Sequence, residues 1–187
     1  MTNVHDRVSE LARLDEAGRL PELLLFWGHR PPKGGGVGKG CLSQWYPAPF
    51  TVDGVRYATA EHYMMAGKAR LFGDAEAERL VLADDDPDRA KGAGRRVRGF
   101  DEDTWTAHRY ALVLAANTAK FGQHPPLAGF LLATGEKVLV EASPYDVIWG
   151  IGLSAEQEEA RHPATWRGLN LLGFALMDVR RALRPAP

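Results

Sequence analysis

The sequence has only one cysteine, Cys41, among its 187 residues. A single cysteine cannot form an internal disulfide, which fits a reducing compartment, so we expect a cytoplasmic protein. Its six histidines show no metal-ligand spacing, and with one cysteine there is no zinc signature. No run approaches the roughly 18 apolar residues that a membrane span needs, and the polar, acidic start of the chain has no signal-peptide pattern. The sequence therefore predicts no metal site and no membrane partner.

The chain also has little net charge, because 23 basic residues nearly balance 24 acidic ones and the formal net charge is −1. Such a balance argues against a broad nucleic-acid surface, although a local basic pocket remains compatible with it. Hydrophobic residues make up 45% of the chain and charged residues 25%, which is ordinary for a globular protein. The length suits one domain with a substantial core.

Hydrophobic periodicity and turn residues predict several helices and a few short strands. The predicted helices cover 3–18, 60–72, 75–83, 86–93, 102–119, 125–134 and 169–183, strands cover 23–27 and 137–141, and a hairpin spans 50–57 with its turn at Asp53-Gly54. The glycine-rich segment 31–40 lacks the P-loop pattern, since Lys33 and Gly40 stand where Gly and Ser or Thr are needed. It is expected to be a mobile surface loop or, alternatively, a lid over a pocket.

One predicted helix carries an acid and a base among apolar residues. Thr59 is a plausible N-cap, and Glu61, Met65 and Lys68 follow at spacings that put them on one face. A carboxylate and an ammonium are costly to bury unless they are paired or used. Two interpretations stay open, a functional site and a structural ion pair at the edge of the core. The adjacent His62 should point elsewhere on the helix.

A second candidate site lies in the loop 142–153, which contains Asp146 and Trp149 and is held by proline and glycine residues, including Gly150. The indole could stack on a base while the carboxylate contacts a sugar. The alternative is a turn in which Asp146 caps the backbone and Trp149 fills the core.

For three further residues the sequence gives weaker indications of a role. Arg95 follows a predicted helix and could bind phosphate through its planar guanidinium, but arginines in such positions are more often solvated or complement a helix end. Lys120 ends a predicted helix, where its charge would complement the helix dipole. Trp105, on the same helix, is expected in the core.

These pieces together resemble the YbiA-like family, also called NADAR for its proposed link to NAD and ADP-ribose chemistry. The matching segments are Phe26-Trp27, Leu42-Ser43-Gln44-Trp45-Tyr46-Pro47, Glu61-His62-Tyr63 with Lys68, Gly94-Arg95, Lys120-Phe121, Leu131-Leu132-Ala133-Thr134, Leu139-Val140-Glu141, Asp146-Val147-Ile148-Trp149-Gly150, Asn170-Leu171-Leu172-Gly173, Leu176-Met177 and Arg180. Gln44 departs from the family pattern, which has Asn after the serine. The resemblance implies a predominantly helical α+β single domain with a few short strands over residues 21–187, preceded by an N-terminal helical extension over residues 1–20.

The resemblance further implies an N-glycosidase that hydrolyses the bond between ribose 5-phosphate and the amine of phosphoribosylamino-pyrimidine intermediates of riboflavin biosynthesis. Two alternatives remain, removal of ADP-ribose from guanine in DNA and non-catalytic sensing of NAD, ADP-ribose or a related nucleotide. The expected partner is thus a phosphoribosyl or ADP-ribosyl small molecule, with nucleic acid less favoured. The oligomeric state stays open.

The chemistry of a glycosidic C–N bond suggests roles for the candidate residues, because positive charge develops on the sugar and negative charge on the leaving nitrogen. Glu61 is expected to be the catalytic carboxylate and Asp146 the second carboxylate or a ribose hydroxyl acceptor. The remaining substrate-binding candidates are Trp27 and Trp149 for the base, Lys68 and Arg95 for the 5-phosphate, and Gly150 in the loop of Asp146. Lys68 is also expected to keep Glu61 ionised. None of these roles needs a cofactor or a metal.

Overall fold

The structure, a computed structural model, describes residues 4–184 and is predominantly helical with a few short strands, as expected. Its helices are α1 (Val4–Glu16), α2 (Ala60–Leu71), α3 (Ala75–Val81), α4 (Pro87–Arg95), α5 (Glu102–Gln123), α6 (Pro125–Ala133) and α7 (Leu171–Leu183). The strands are β1 (Leu23–Phe26), β2 (Phe50–Val52), β3 (Val55–Tyr57) and β4 (Val138–Glu141), and 3-10 turns cover Lys39–Leu42, Glu158–Arg161 and Pro163–Thr165. No helix within residues 4–184 is long and apolar enough to cross a membrane.

Packing divides the chain into two compact units. The central unit comprises His29–Gly129, and the terminal unit comprises the residues up to Gly28 together with those from Phe130 onward.

The central unit is built around α2, which packs against α3, α4 and α5. The predicted cap is confirmed, because the Thr59 hydroxyl accepts a hydrogen bond from the backbone N–H of His62 at 3.4 Å. Glycines allow the neighbouring helices to approach closely. A Cβ added at Gly94 of α4 would lie 2.1 Å from the sulfur of Met65. A Cβ at Gly67 would lie 2.7 Å from the Leu112 side chain on α5.

The terminal unit contains a parallel pair of strands, β1 and β4, whose register runs from Leu23 beside Val138 to Phe26 beside Glu141. Helix α7 packs on β4 and begins at Asn170, whose φ is +52°. The Asn170 side chain replaces a strand partner at this edge of β4, since its Nδ2 donates to the Leu139 carbonyl at 2.9 Å and its Oδ1 accepts from the Glu141 amide at 3.0 Å. This side chain fixes the end of β4 from which the loop of Asp146 departs.

Candidate active site

Glu61 lies in the first turn of α2 and is only 3% exposed. Its backbone N–H donates to the Gln44 carbonyl at 3.0 Å, which ties the start of the helix to the segment before the hairpin. Met65 is buried and Lys68 is half-buried. The predicted shared face is therefore real, and it begins with a carboxylate inside the protein.

The Lys68 ammonium packs against aromatic rings, with Nζ 4.2 Å from the centroid of Phe100 and 5.3 Å from that of Trp105. Within residues 4–184, Lys68 forms no salt bridge, so the alternative of a structural ion pair between Glu61 and Lys68 is wrong. The reason is axial distance, because residues seven apart share a face but are separated by about 10 Å along the helix. Burial lowers the pKa of Lys68, and its contacts with ring faces leave the ammonium hydrogens free to donate.

Arg95 is the last residue of α4 and is exposed. It follows Gly94, the residue that packs against Met65 of α2. The end of α4 therefore lies beside the face that carries Glu61 and Lys68. This placement is compatible with a phosphate role, as is the structural alternative of a solvated helix end.

Lys120 lies in the last turn of α5, where its charge was expected to complement the helix dipole, and α5 ends three residues later at Gln123. The side chain is fully buried, and its Nζ donates to the carbonyls of Cys41 at 2.6 Å and Ser43 at 2.8 Å. Burial lowers the pKa of Lys120 to about 7. The pKa of the buried Cys41 thiol rises to about 11 for the same reason.

Gln44, the residue that departs from the family pattern, is buried between Glu61 and α5. Its Oε1 accepts from Asn117 Nδ2 at 2.8 Å, while its carbonyl accepts from the Glu61 amide. The sequence marked Gln44 only as a departure and did not single out Asn117. Asn117 and Lys120 thus hold segment 41–44 against α5, and the Gln44 carbonyl joins that segment to the first turn of α2.

His62 points away from the Glu61 face, as expected, and has a structural role. Its Nδ1 lies 2.8 Å from the Thr59 hydroxyl and its Nε2 lies 3.1 Å from the Asp84 carbonyl. Since a carbonyl can only accept, Nε2 carries a proton, and in the neutral ring Nδ1 accepts from the Thr59 hydroxyl. Burial lowers the pKa of His62, in agreement with that assignment.

In the terminal unit, Asp146 organises its own loop. Its Oδ1 accepts from the backbone amides of Ile148 at 2.9 Å and Trp149 at 2.7 Å, so the proposed backbone cap is confirmed. Both bonds use one oxygen, which leaves Oδ2 available to a ligand. Trp149 is only half-buried and does not fill the core. At Gly150 a Cβ would lie 2.8 Å from the Glu141 carbonyl, so this position requires glycine for close packing.

Exposed aromatic rings accompany this loop. Trp27, directly after β1, is 60% exposed, and Tyr145, directly before Asp146, is 87% exposed. Their ring centroids are 6.2 Å apart with the planes tilted by 52°. The sequence pointed to Trp27 but missed Tyr145, which carries no signal of its own apart from its place beside Asp146. An exposed aromatic pair on an ordered loop can bind a planar ligand.

No group of three or more histidine, cysteine or acidic side chains that could hold a metal ion occurs in the described part of the chain. The structure thus presents two sets of candidate residues. Glu61, Lys68 and Arg95 lie in the central unit, and Trp27, Asp146, Trp149 and Gly150 lie in the terminal unit. The first set offers a carboxylate and two cations, and the second set offers a carboxylate and aromatic rings.

The class of protein follows from a comparison with known families. The NADAR domain model matches residues 25–184 of this chain. The chain belongs to the NADAR family. Relatives of the chain are named N-glycosidases, and the chain is a hydrolase of N-glycosyl bonds.

Among its relatives, N-glycosidase R617 of Acanthamoeba polyphaga mimivirus is 44% identical over 144 residues, covering 74% of this chain and 85% of that protein. The chloroplastic riboflavin biosynthesis protein PYRR of Zea mays is 33% identical over 135 residues, covering 68% of this chain and 20% of that protein. The NMR structure of E. coli YbiA superposes with a TM-score of 0.70 at 28% identity and covers 87% of this chain and 85% of that one.

Proposed function

We propose that this N-glycosidase hydrolyses the C–N bond between ribose 5-phosphate and the amine of phosphoribosylamino-pyrimidines. The observation that carries the proposal is the buried Glu61 carboxylate at the first turn of α2. Relatives named as riboflavin biosynthesis proteins favour substrates of that pathway.

Hydrolysis would break the bond from the anomeric carbon to the amine nitrogen and form a bond from that carbon to a water oxygen. As the C–N bond lengthens, the sugar gains positive charge, which a nearby carboxylate stabilises. We assign this role to Glu61. The departing nitrogen takes a proton, and water supplies the hydroxyl of the ribose 5-phosphate product.

Binding would be divided among the other candidates. Lys68 and Arg95 suit the 5-phosphate, because a guanidinium can bind it through two parallel hydrogen bonds and an ammonium acts as a point charge. Asp146 would accept a ribose hydroxyl through Oδ2 or act as the second carboxylate. Trp27 and the half-buried Trp149 would stack on the pyrimidine, and Gly150 would let the loop pack closely behind them.

The test measures release of ribose 5-phosphate from freshly generated phosphoribosylamino-pyrimidine. Glu61→Gln keeps the shape of the side chain and removes its charge, so kcat should fall by at least about 1000-fold while substrate binding is retained. Glu76→Gln is the matched control, because Glu76 is an exposed residue of the same unit that pairs with Arg79. Full activity in a folded Glu61→Gln protein would remove Glu61 from the catalytic role.

Asp146→Asn tests the second carboxylate separately. The amide oxygen can still accept from Ile148 and Trp149, so the loop should keep its structure. We expect a fall in kcat/KM of about 10- to 1000-fold with an unchanged melting temperature. If the wild-type protein releases no ribose 5-phosphate but frees ADP-ribose from an ADP-ribosylated guanine oligonucleotide, the substrate proposal is wrong and the alternative replaces it.

A further inference from the structure

A small cavity in the terminal unit is lined mainly by arginines. It has a volume of about 200 Å³, and its lining residues are Arg7, Glu136, Met177, Arg180, Arg181 and Arg184. Arg7 comes from α1, the last three arginines lie in or just after the C-terminal part of α7, and Glu136 precedes β4. Asn170 and Arg180 are ten positions apart, about 15 Å along a helix. The cavity therefore lies at the far end of α7 from the residue that fixes the loop of Asp146.

Arg180 is the innermost of these side chains and is only 5% exposed. Its Nη1 donates to the Thr134 hydroxyl at 2.7 Å and to the Lys137 carbonyl at 2.9 Å, both neutral acceptors. No carboxylate of residues 4–184 forms a salt bridge with it. A buried cation without a salt-bridge partner is unfavourable. Its position is made worse by the nearby Arg184, and burial together with this repulsion lowers the pKa of Arg180.

The carboxylates around the cavity do not balance its arginines. Asp178 pairs with Arg7 at 3.0 Å and lies 3.5 Å from Arg181, while Glu136 pairs with Arg184. The Glu136 side chain is 81% exposed, so its pairing is weakened by water. Among the described residues, two carboxylates thus face four guanidinium groups, and the surplus positive charge surrounds an open space.

We propose that this cavity is a binding site for a phosphate group, either free inorganic phosphate or the phosphate of a monoester. Guanidinium groups bind phosphate oxygens through paired, charge-assisted hydrogen bonds. The Nε and Nη2 groups of Arg180 remain to donate. Complementing the C-terminal dipole of α7 explains some positive charge there, but it requires neither Arg7 from another helix nor a buried Arg180. The site uses none of the proposed catalytic or substrate-binding residues and does not depend on that proposal.

The test is an NMR titration of the ¹⁵N-labelled full chain with inorganic phosphate, at constant ionic strength maintained with sodium chloride. We expect saturable shifts of amides in 134–137 and 177–184. Arg184→Gln should raise the Kd by about 10-fold, the effect of one charge-assisted contact. Glu136→Gln should lower the Kd by about 3-fold, since it removes the competing carboxylate. Arg161→Gln, an exposed arginine of the same unit outside the cavity, should leave the Kd unchanged.

A parallel titration with ribose 5-phosphate distinguishes the two phosphate sources. A lower Kd than for inorganic phosphate at the same amides would assign the site to monoesters, and an equal or higher Kd would assign it to free phosphate. Binding at the proposed active site would shift other amides, so failure of either proposal can be recognised separately. Shifts at 134–137 and 177–184 that grow linearly without saturation, or that are the same in Arg184→Gln, would overturn the phosphate site.

Discussion

Lys120 shows how a single residue can have a structural role that its sequence position hides. Its ammonium is buried without a carboxylate and is stabilised by two backbone carbonyls. Those carbonyls belong to the segment whose next residue, Gln44, binds the Glu61 amide. In the sequence, a lysine near a helix end indicates only a partner for the helix dipole. The carbonyls that accept from Lys120 lie 79 and 77 residues away, so no local pattern indicates them. Only the folded chain brings them together.

Cys41 should be chemically inert in the native protein. It is fully buried, and its pKa is raised to about 11, so the reactive thiolate is almost absent at neutral pH. We expect a thiol reagent at pH 8 to modify it at least about 100-fold more slowly in buffer than in denaturant. Complete modification of the native protein at the rate seen in denaturant would contradict the burial and the raised pKa of Cys41.

At the scale of elements, the contact between α2 and α4 depends on Gly94. A Cβ there would lie 2.1 Å from the Met65 sulfur and 3.0 Å from its Cβ, so both the tip and the base of that side chain would have to move. We expect Gly94→Ala to destabilise the protein by about 1–3 kcal/mol, measured by urea denaturation. Because the contact adjoins the Glu61 face, we also expect a fall in kcat.

Gly92 supplies the control, because it lies in the same helix and has nothing within 4 Å of an added Cβ. Gly92→Ala should stabilise the protein by about 0.5–1 kcal/mol through its better helix propensity. If both substitutions stabilise the protein, a Cβ fits at position 94 and α2 and α4 are not in close contact there.

Elements with local signals were the ones that the sequence predicted well. Thr59 caps α2 as expected, Asp86 and Asp101 cap α4 and α5, and the hairpin turns at Asp53-Gly54 as predicted. Capping and turn residues act within three or four positions, so their signals are readable. The parallel pairing of β1 with β4 was not predicted, because it joins segments more than 100 residues apart. Likewise, Asn170 gives no local sign that its amide replaces a strand partner.

At the scale of the whole molecule, the family resemblance identified the type of enzyme, while residue spacing singled out Glu61 and Asp146 as candidates but did not predict what packs around Lys68. Spacing predicts which side chains share a helix face, and Glu61 and Lys68 do share one. It does not predict what else packs there, such as the Phe100 and Trp105 rings over Lys68. The catalytic and binding roles of these residues stay predictions.

Overall stability should rise with pH in two separate windows. Burial lowers the pKa of His62, so below its unfolded value of about 6.5 the unfolded chain takes up a proton that the native protein resists. Lys120 acts between pH 7 and pH 10.5, because its pKa is about 7 in the folded protein and 10.5 in the unfolded chain. In both windows the unfolded chain binds more protons, so the free energy of unfolding increases with pH, by at most about 1.4 kcal/mol per pH unit for each group.

Urea denaturation at pH 5.5, 6.5, 7 and 8.5 measures both windows. Near pH 8.5 the Cys41 thiol begins to ionise in the unfolded chain, which opposes the rise due to Lys120 but is smaller than it. We expect Lys120→Met to abolish the rise between pH 7 and 8.5 and to keep the rise below pH 6.5. His62→Gln should do the opposite, since glutamine can still bond to Thr59 or Asp84 without titrating. A wild-type curve that is flat from pH 7 to 8.5 would contradict the lowered pKa of Lys120, whether or not the variant folds.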